Sequence, residues 1–194
     1  MSLRDWVTRM RSVVFCAGVL GVALPAAAQD TPPLELSAGY RLLHVQRGFG
    51  VDLSNIKETL HGVYLEGAAN ETTLLSLVGQ GAVNFTNVSG QSVKAYEFAA
   101  GPRFNRRSAG RTLFGQFLIG VAHYQPHGPE RSTNATVHLG GGATVWSRHR
   151  VGLRIGGDYE LIFTGGSNLL SPQTGERTHG LRVTTGAVFA LGGR

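Results

Sequence analysis

The sequence has very little cysteine and no long apolar stretch. Its 194 residues include one cysteine, Cys16, which falls in an N-terminal segment that we expect to be removed. The remaining chain then has no thiol, which excludes disulfide bonds, thiolate metal sites and cysteine nucleophiles. No run beyond that segment approaches the ~20 apolar residues of a membrane-spanning helix. Stability therefore has to come from the fold itself.

The N-terminal segment has the three parts of a secretory signal peptide. Arg4, Arg9 and Arg11 precede a short apolar run, Ser12–Leu24. After Pro25, three alanines at 26–28 supply the small residues at which a signal peptidase cleaves. We therefore expect residues 1–28 to be a cleaved signal peptide, and residues 29–194 to form one domain of a secreted protein.

The charge balance argues against a nucleic-acid partner. Lysine and arginine number 18 against 12 acidic residues, a formal net charge of +6. This excess is modest, and several of the arginines lie in predicted turns rather than on one basic face. We expect no nucleic-acid surface.

Apolar and polar residues alternate with a period of two along most of the chain, which is typical of β-strands with one apolar face. The clearest case is Val151–Phe163, where Leu153 and Ile155 share one face, and Arg154 and Asp158 the other. The same alternation predicts eight strands and no amphipathic helix. The predicted strands are Leu34–His44, Leu60–Ala69, Leu75–Phe85, Val93–Phe104, Arg111–Tyr124, Asn134–Trp146, Val151–Phe163 and Gly180–Leu191. Pro102 cannot donate a ladder hydrogen bond, so it predicts a bulge or a strand end.

The connections between the predicted strands alternate in length. Short turns are expected at Asn70–Glu71, Asn105–Gly110 and Ser147–Arg150, and longer loops at Val45–Thr59, Thr86–Ser92, Gln125–Thr133 and Thr164–His179. An up-and-down barrel puts these two sets at opposite ends, as in outer-membrane barrels. The fold predicted is therefore an all-β, eight-stranded antiparallel up-and-down transmembrane β-barrel.

The composition of the polar face indicates that this face lines the lumen. An eight-stranded barrel is only wide enough for its interior to fill with side chains. The polar face offers four cations and five anions that can pair there: Glu35, Arg41, Glu66, Glu97, Arg103, Arg154, Asp158, Glu160 and Arg182. The apolar face would then contact lipid. A soluble lipocalin-like carrier, with the faces reversed, is the alternative.

Four segments resemble the outer membrane protein β-barrel family, close to the OmpA-like transmembrane domain. They are LELSAGY (Leu34–Tyr40), AAGPRF (Ala99–Phe104), LGGGATV (Leu139–Val145) and LRVTTGAVFALG (Leu181–Gly192). The resemblance implies a monomeric cell-envelope barrel in the bacterial outer membrane. Its expected partners are outer-membrane lipids, lipopolysaccharide and the barrel assembly machinery. The peptidoglycan-binding domain that often follows such a barrel is not expected, and the last strand does not end on an aromatic residue.

We expect a non-enzymatic protein with a structural or surface-binding role and a largely plugged lumen. Arg103, Arg154 and Arg182, facing Glu66, Glu97 and Asp158, form either a switchable ion-pair gate or a paired polar core that keeps the lumen plugged. We favour the paired core, because buried charges must be paired.

No catalytic, cofactor or metal residue is predicted. His123 and His127 flank Pro126 at a strand end, and His149 lies between two arginines, so neither arrangement has metal-ligand spacing. A lipid A-modifying enzyme is an alternative within the same fold. It would need a histidine beside a nucleophile, and the rim histidines His61 and His123 have no serine at the expected spacing.

Overall fold

A computed structural model describes residues 31–45, 58–88, 91–125, 132–148, 150–163 and 177–192. These residues form eight strands and no helix, as the alternation predicts. The strands are β1 (Leu34–Val45), β2 (Glu58–Asn70), β3 (Leu75–Val88), β4 (Gln91–Ser108), β5 (Arg111–Gln125), β6 (Ser132–Arg148), β7 (Val151–Phe163) and β8 (Arg177–Leu191). Within these described ranges, no helix is long and apolar enough to cross a membrane. The predicted signal peptide lies outside them and stays a prediction.

Every strand pairs antiparallel with the next, and β8 pairs with β1 to close the barrel. Leu34 at the start of β1, for example, is opposite Ala69 in β2 and Leu191 in β8. Closure gives both edges of each strand a partner, so the sheet has no free edge. The predicted fold class is confirmed.

The expected irregularity at Pro102 is absent, and the prediction of a bulge or strand end there is wrong. The β4–β5 register is the same on both sides, with Ala100 opposite Ile119 and Arg103 opposite Gln116. The strand continues to Ser108. Pro102 lies on the exposed face, and its missing donor interrupts the ladder only locally.

Several connections are shorter than predicted. The turn expected over Asn105–Gly110 reduces to two residues, because Ser108 pairs with Arg111 and Gly110 adopts a left-handed φ of 70° that favours glycine. Only residues 89–90 separate β3 from β4, so the longer loop predicted at Thr86–Ser92 is wrong. The same end of the barrel carries three further connections, residues 46–57, 126–131 and 164–176. We call it the loop end. We call the opposite end, with the connections after β2, β4 and β6, the turn end.

The two faces of the barrel have the predicted polarity. Large apolar side chains are exposed on all eight strands, and include Leu34, Val63, Leu77, Phe98, Phe117, Leu139, Ile155 and Val183. The polar residues that alternate with them point into the lumen and are buried. A lipocalin-like carrier has the opposite polarity, so that alternative is excluded.

The apolar outer face of the barrel predicts different losses of stability for two arginine substitutions on one strand. Leu139, near the middle of β6, and Val145, near its turn end, are both about 60% exposed on the same face. In phospholipid vesicles, Leu139→Arg should lower the free energy of unfolding by about 2–4 kcal/mol, and Val145→Arg by about 0–1 kcal/mol, because the cost of an arginine falls toward the interface. Denaturant titration measures both. Equal losses would contradict a membrane centred on the middle of the strands.

Candidate functional site

The lumen contains all nine charged side chains predicted to line it, and each is at most 4% exposed. Eight of them fall into two ion-paired networks, and the ninth, Glu160, forms no side-chain hydrogen bond among the described residues. The turn-end network consists of Glu35, Glu66, Arg103 and Arg154, joined at its margin by Arg107, which the sequence reasoning missed. The loop-end network consists of Arg41, Glu97, Asp158 and Arg182.

Glu66 is the centre of the turn-end network. Arg103 donates to both of its carboxylate oxygens, through Nη1 at 2.8 Å and Nη2 at 2.6 Å. Arg154 reaches Glu66 from the opposite side and also donates to Glu35 Oε2 at 2.7 Å. The bidentate pair of Arg103 with Glu66 is the strong form of the arginine–carboxylate interaction. One carboxylate therefore holds guanidinium groups from β4 and β7.

An aromatic ring supports the same two arginines. The guanidinium carbons of Arg103 and Arg154 lie 4.5 and 5.2 Å from the centre of the Phe114 ring, within cation–π range. Gly142 makes room for the ring, because a Cβ there would lie 2.8 Å from Phe114 Cζ and 2.2 Å from the carbonyl oxygen of Ile155. A glycine at this position therefore allows β6 to pass close to both.

Glu97 has the corresponding role in the loop-end network. It accepts from Arg41 Nη2 at 2.5 Å and from Arg182 Nη1 at 2.7 Å. Arg182 also donates to Asp158 Oδ2 at 2.9 Å, and these two residues are opposite each other in the β7–β8 ladder. The ladder thus positions one pair, and Glu97 joins it from across the lumen.

A neutral side chain connects the two networks. Gln116 Oε1 accepts from Arg103 Nε at 2.9 Å, and Gln116 Nε2 donates to Asp158 Oδ1 at 2.9 Å. Of the nine charged residues selected from the sequence, all except Glu160 are therefore joined by ion pairs and hydrogen bonds. The amide that bridges them was not predicted, because uncharged inward residues gave no distinguishing signal.

An apolar cluster fills the lumen at the loop end. Its buried members are Leu43, Val45, Leu60, Ala95, Ala122, Tyr124 and Ile162. The sequence reasoning expected polar residues there. Neighbouring apolar residues, such as Leu42 with Leu43 and Leu161 with Ile162, are the signal that was missed, since they make both faces of a strand apolar. The cluster separates the charges from the loop end.

Four histidines lie on the outer face near the loop end, each hydrogen-bonded to a neighbouring strand. His61 contacts Tyr40 and His179 contacts Tyr159, while His44 and His123 contact the threonines at 59 and 133, at 3.1 and 2.8 Å. Among the described residues, none of these histidines has a serine as a hydrogen-bond partner. The positions of His127 and His149 lie outside the described residues. A fifth histidine, His138, is buried in the lumen, as its place on the polar face of the sixth strand predicts, but it was not selected as a site residue.

Comparison with known proteins identifies structural relatives only. No protein-family model and no curated protein sequence matches the chain. Among solved structures, it is similar to Neisserial surface protein A, at 12% identity and a TM-score of 0.62, covering 82% of this chain and 97% of that one. It is also similar to the outer membrane protein OprG from Pseudomonas aeruginosa, at 9% identity and a TM-score of 0.56, covering 84% and 97%. This chain has the fold of the eight-stranded outer-membrane barrels.

The turn-end network predicts a large effect for one substitution. Glu66→Ala should lower the free energy of unfolding by about 3–5 kcal/mol, because it leaves two buried guanidinium groups without their shared partner. Glu71→Ala, in the exposed turn after β2, should change it by no more than about 0.5 kcal/mol. Urea titration of the refolded barrels measures both. Similar values for the two variants would show that the network contributes little to stability.

Proposed function

We propose that this chain is a non-enzymatic outer-membrane protein with a structural or surface-binding role and a lumen closed by ion pairs. One observation carries the proposal: charged side chains fill the inside of a closed barrel whose outside is apolar. A protein of this polarity is stable in lipid, where the closed sheet satisfies the backbone groups of its strands.

The proposed location is the bacterial outer membrane, reached through the predicted signal peptide. The fold shared with OprG, described as an outer membrane protein, supports this location. The partners proposed are outer-membrane lipids, including lipopolysaccharide, and the barrel assembly machinery. Tyr40, Tyr96 and Tyr159 lie outward near the loop end and suit a membrane–water interface, where aromatic girdles are common. We propose that this end faces the exterior, and that the barrel is a monomer.

The lumen is proposed to be closed by two different means. At the turn end, hydrogen-bonded arginines and carboxylates cross the interior from several strands. At the loop end, buried apolar side chains occupy the interior instead. A continuous water column would have to displace both, which argues for a structural or surface role over transport.

A lipid A-modifying enzyme is the alternative within this fold. It requires a base in hydrogen-bond contact with a nucleophile at the lipid face. In the described part of the chain, His61 contacts a tyrosine and His123 a threonine, and neither contacts a carboxylate that would complete a catalytic set. The geometry therefore favours the non-enzymatic proposal.

The proposed location has a direct test in cells. The protein should fractionate with the outer membrane and migrate faster on a gel when unboiled, because the closed barrel resists detergent until heated. External protease should cut intact cells only within residues 46–57, 89–90, 126–131 or 164–176. Cleavage at the turns near Thr72 or Ala109 would show that the orientation is reversed, and recovery in the soluble fraction would refute the location.

The closed lumen predicts poor conductance. In planar bilayers, the purified wild type should show no stable, porin-like channel. Glu97→Ala leaves Arg41 and Arg182 without their shared carboxylate, so it should destabilise the barrel by about 3–5 kcal/mol. Glu71→Ala serves as the control in both measurements. Large, stable wild-type currents would contradict the closed lumen, whereas brief openings that become frequent in Glu97→Ala would indicate an ion-pair gate.

A further inference from the structure

Three buried side chains meet just below the apolar cluster. His138 and Glu160 are opposite each other in the β6–β7 ladder, and Glu97 approaches from β4 across the lumen. One potential ligand atom from each of the three lies within 4.8 Å of the others. Glu97 Oε1 is 3.6 Å from His138 Nε2, and none of the three side chains is more than 3% exposed.

Glu160 is the one carboxylate of the three that has no hydrogen-bonded or ion-paired partner among the described residues. Both of its carboxylate oxygens are buried without a hydrogen bond, as is Nδ1 of His138. On the other side of Glu160, the β8 ladder position is Gly180, which has no side chain to offer. An ionised carboxylate buried without a partner is very costly, so Glu160 needs either a proton or a cation, and a cation here would lie between Glu160, Glu97 and His138.

The neighbouring arginines Arg41 and Arg182 attract Glu160 but form no ion pair or hydrogen bond with it. Arg182 is held by Glu97 and Asp158, and Arg41 by Glu97. Arg41 Nε and Nη1 remain without a partner and form no hydrogen bond to Glu160. Two arginines therefore face three carboxylates in this half of the lumen. In the turn-end network, by contrast, three arginines face two carboxylates, so the negative excess is confined to the region around Glu160.

We propose that Glu97, His138 and Glu160 bind one divalent transition-metal cation. An imidazole with two carboxylates is a donor set suited to Zn²⁺, whereas Ca²⁺ and Mg²⁺ prefer oxygen ligands alone. The arginines on Glu97 are compatible with this role, because metal-binding carboxylates are commonly hydrogen-bonded by an outer shell.

The site is enclosed, which determines how it is to be loaded. The apolar cluster covers it on the loop side, and the turn-end network closes the other end of the lumen. The metal is therefore expected to enter during folding rather than by diffusion into the finished barrel. Full-length barrel should be refolded in detergent with Zn²⁺, dialysed against metal-free buffer, and analysed for bound zinc and for its urea unfolding midpoint.

The expected result is one Zn²⁺ per wild-type barrel and a higher unfolding midpoint than in barrel refolded without metal. Glu160→Gln and His138→Gln should each lose the bound zinc and the shift in midpoint. Glu160→Gln replaces a carboxyl group that has no hydrogen bond by a neutral amide of the same shape, so without metal it should fold about as well as wild type. Its loss of zinc then cannot be attributed to misfolding.

Two matched controls separate this site from others. Asp158→Asn removes a charge from the same network but no ligand, so it should retain zinc, with affinity reduced by no more than about tenfold. His123→Gln alters the outer rim and should retain zinc unchanged. The proposal is overturned if wild type retains no zinc, or if zinc survives in both Glu160→Gln and His138→Gln. The latter result would place the metal outside this site, and loss of zinc in His123→Gln would place it on the outer rim.

Discussion

Burying charge inside a narrow barrel is the constraint on which the rest of this structure depends. Eight strands enclose little more than the side chains that point inward, so charged groups placed there leave bulk water and must find partners. Glu66 and Glu97 solve this problem in the same way, each binding two arginines from different strands. Glu66 thereby joins β2, β4 and β7, none of which pair with one another, and Glu97 joins β4 to β1 and β8, which pair with each other but not with β4.

The ion pairs also determine where the barrel can be apolar inside. Between β1, β2, β5 and β7 at the loop end, the inward positions are occupied by residues such as Leu43, Leu60 and Ile162. No arginine from the loop-end network has to extend that far, because its carboxylate partners lie below. The lumen is thus layered along its axis, with paired charges toward the turns, an acid-rich layer around Glu160, and hydrocarbon at the loop end.

The sequence predicted the features that repeat along a single strand. Alternation assigned β7 its bounds at both ends, and it identified all nine buried charges, because the strand period of two decides which face a residue occupies. It failed where the outcome depends on neighbouring strands. The strand tolerates Pro102 because β4 pairs with β5 in the same register on both sides of it. The sequence of β4 alone does not show this register.

The convergence of Glu97, His138 and Glu160 could not be predicted for the same reason. These residues lie on three strands, and their distance depends on the stagger of every ladder between them. Neither spacing nor periodicity encodes that stagger directly. Histidines at ligand spacing along the chain therefore do not include His138, whose two acidic neighbours lie on other strands, Glu160 on β7 and Glu97 on β4.

The pairing of β1 with β8 has a consequence for how the barrel forms. The first strand is complete early in synthesis, yet one side of it stays without a ladder until Gly180–Leu191 becomes available. Contacts so distant in sequence close slowly, and an unpaired strand edge favours aggregation meanwhile. We therefore expect the chain to remain unfolded, or bound to a chaperone, until β8 has been synthesised. The pairing of β8 with β1 is then the step that completes the barrel.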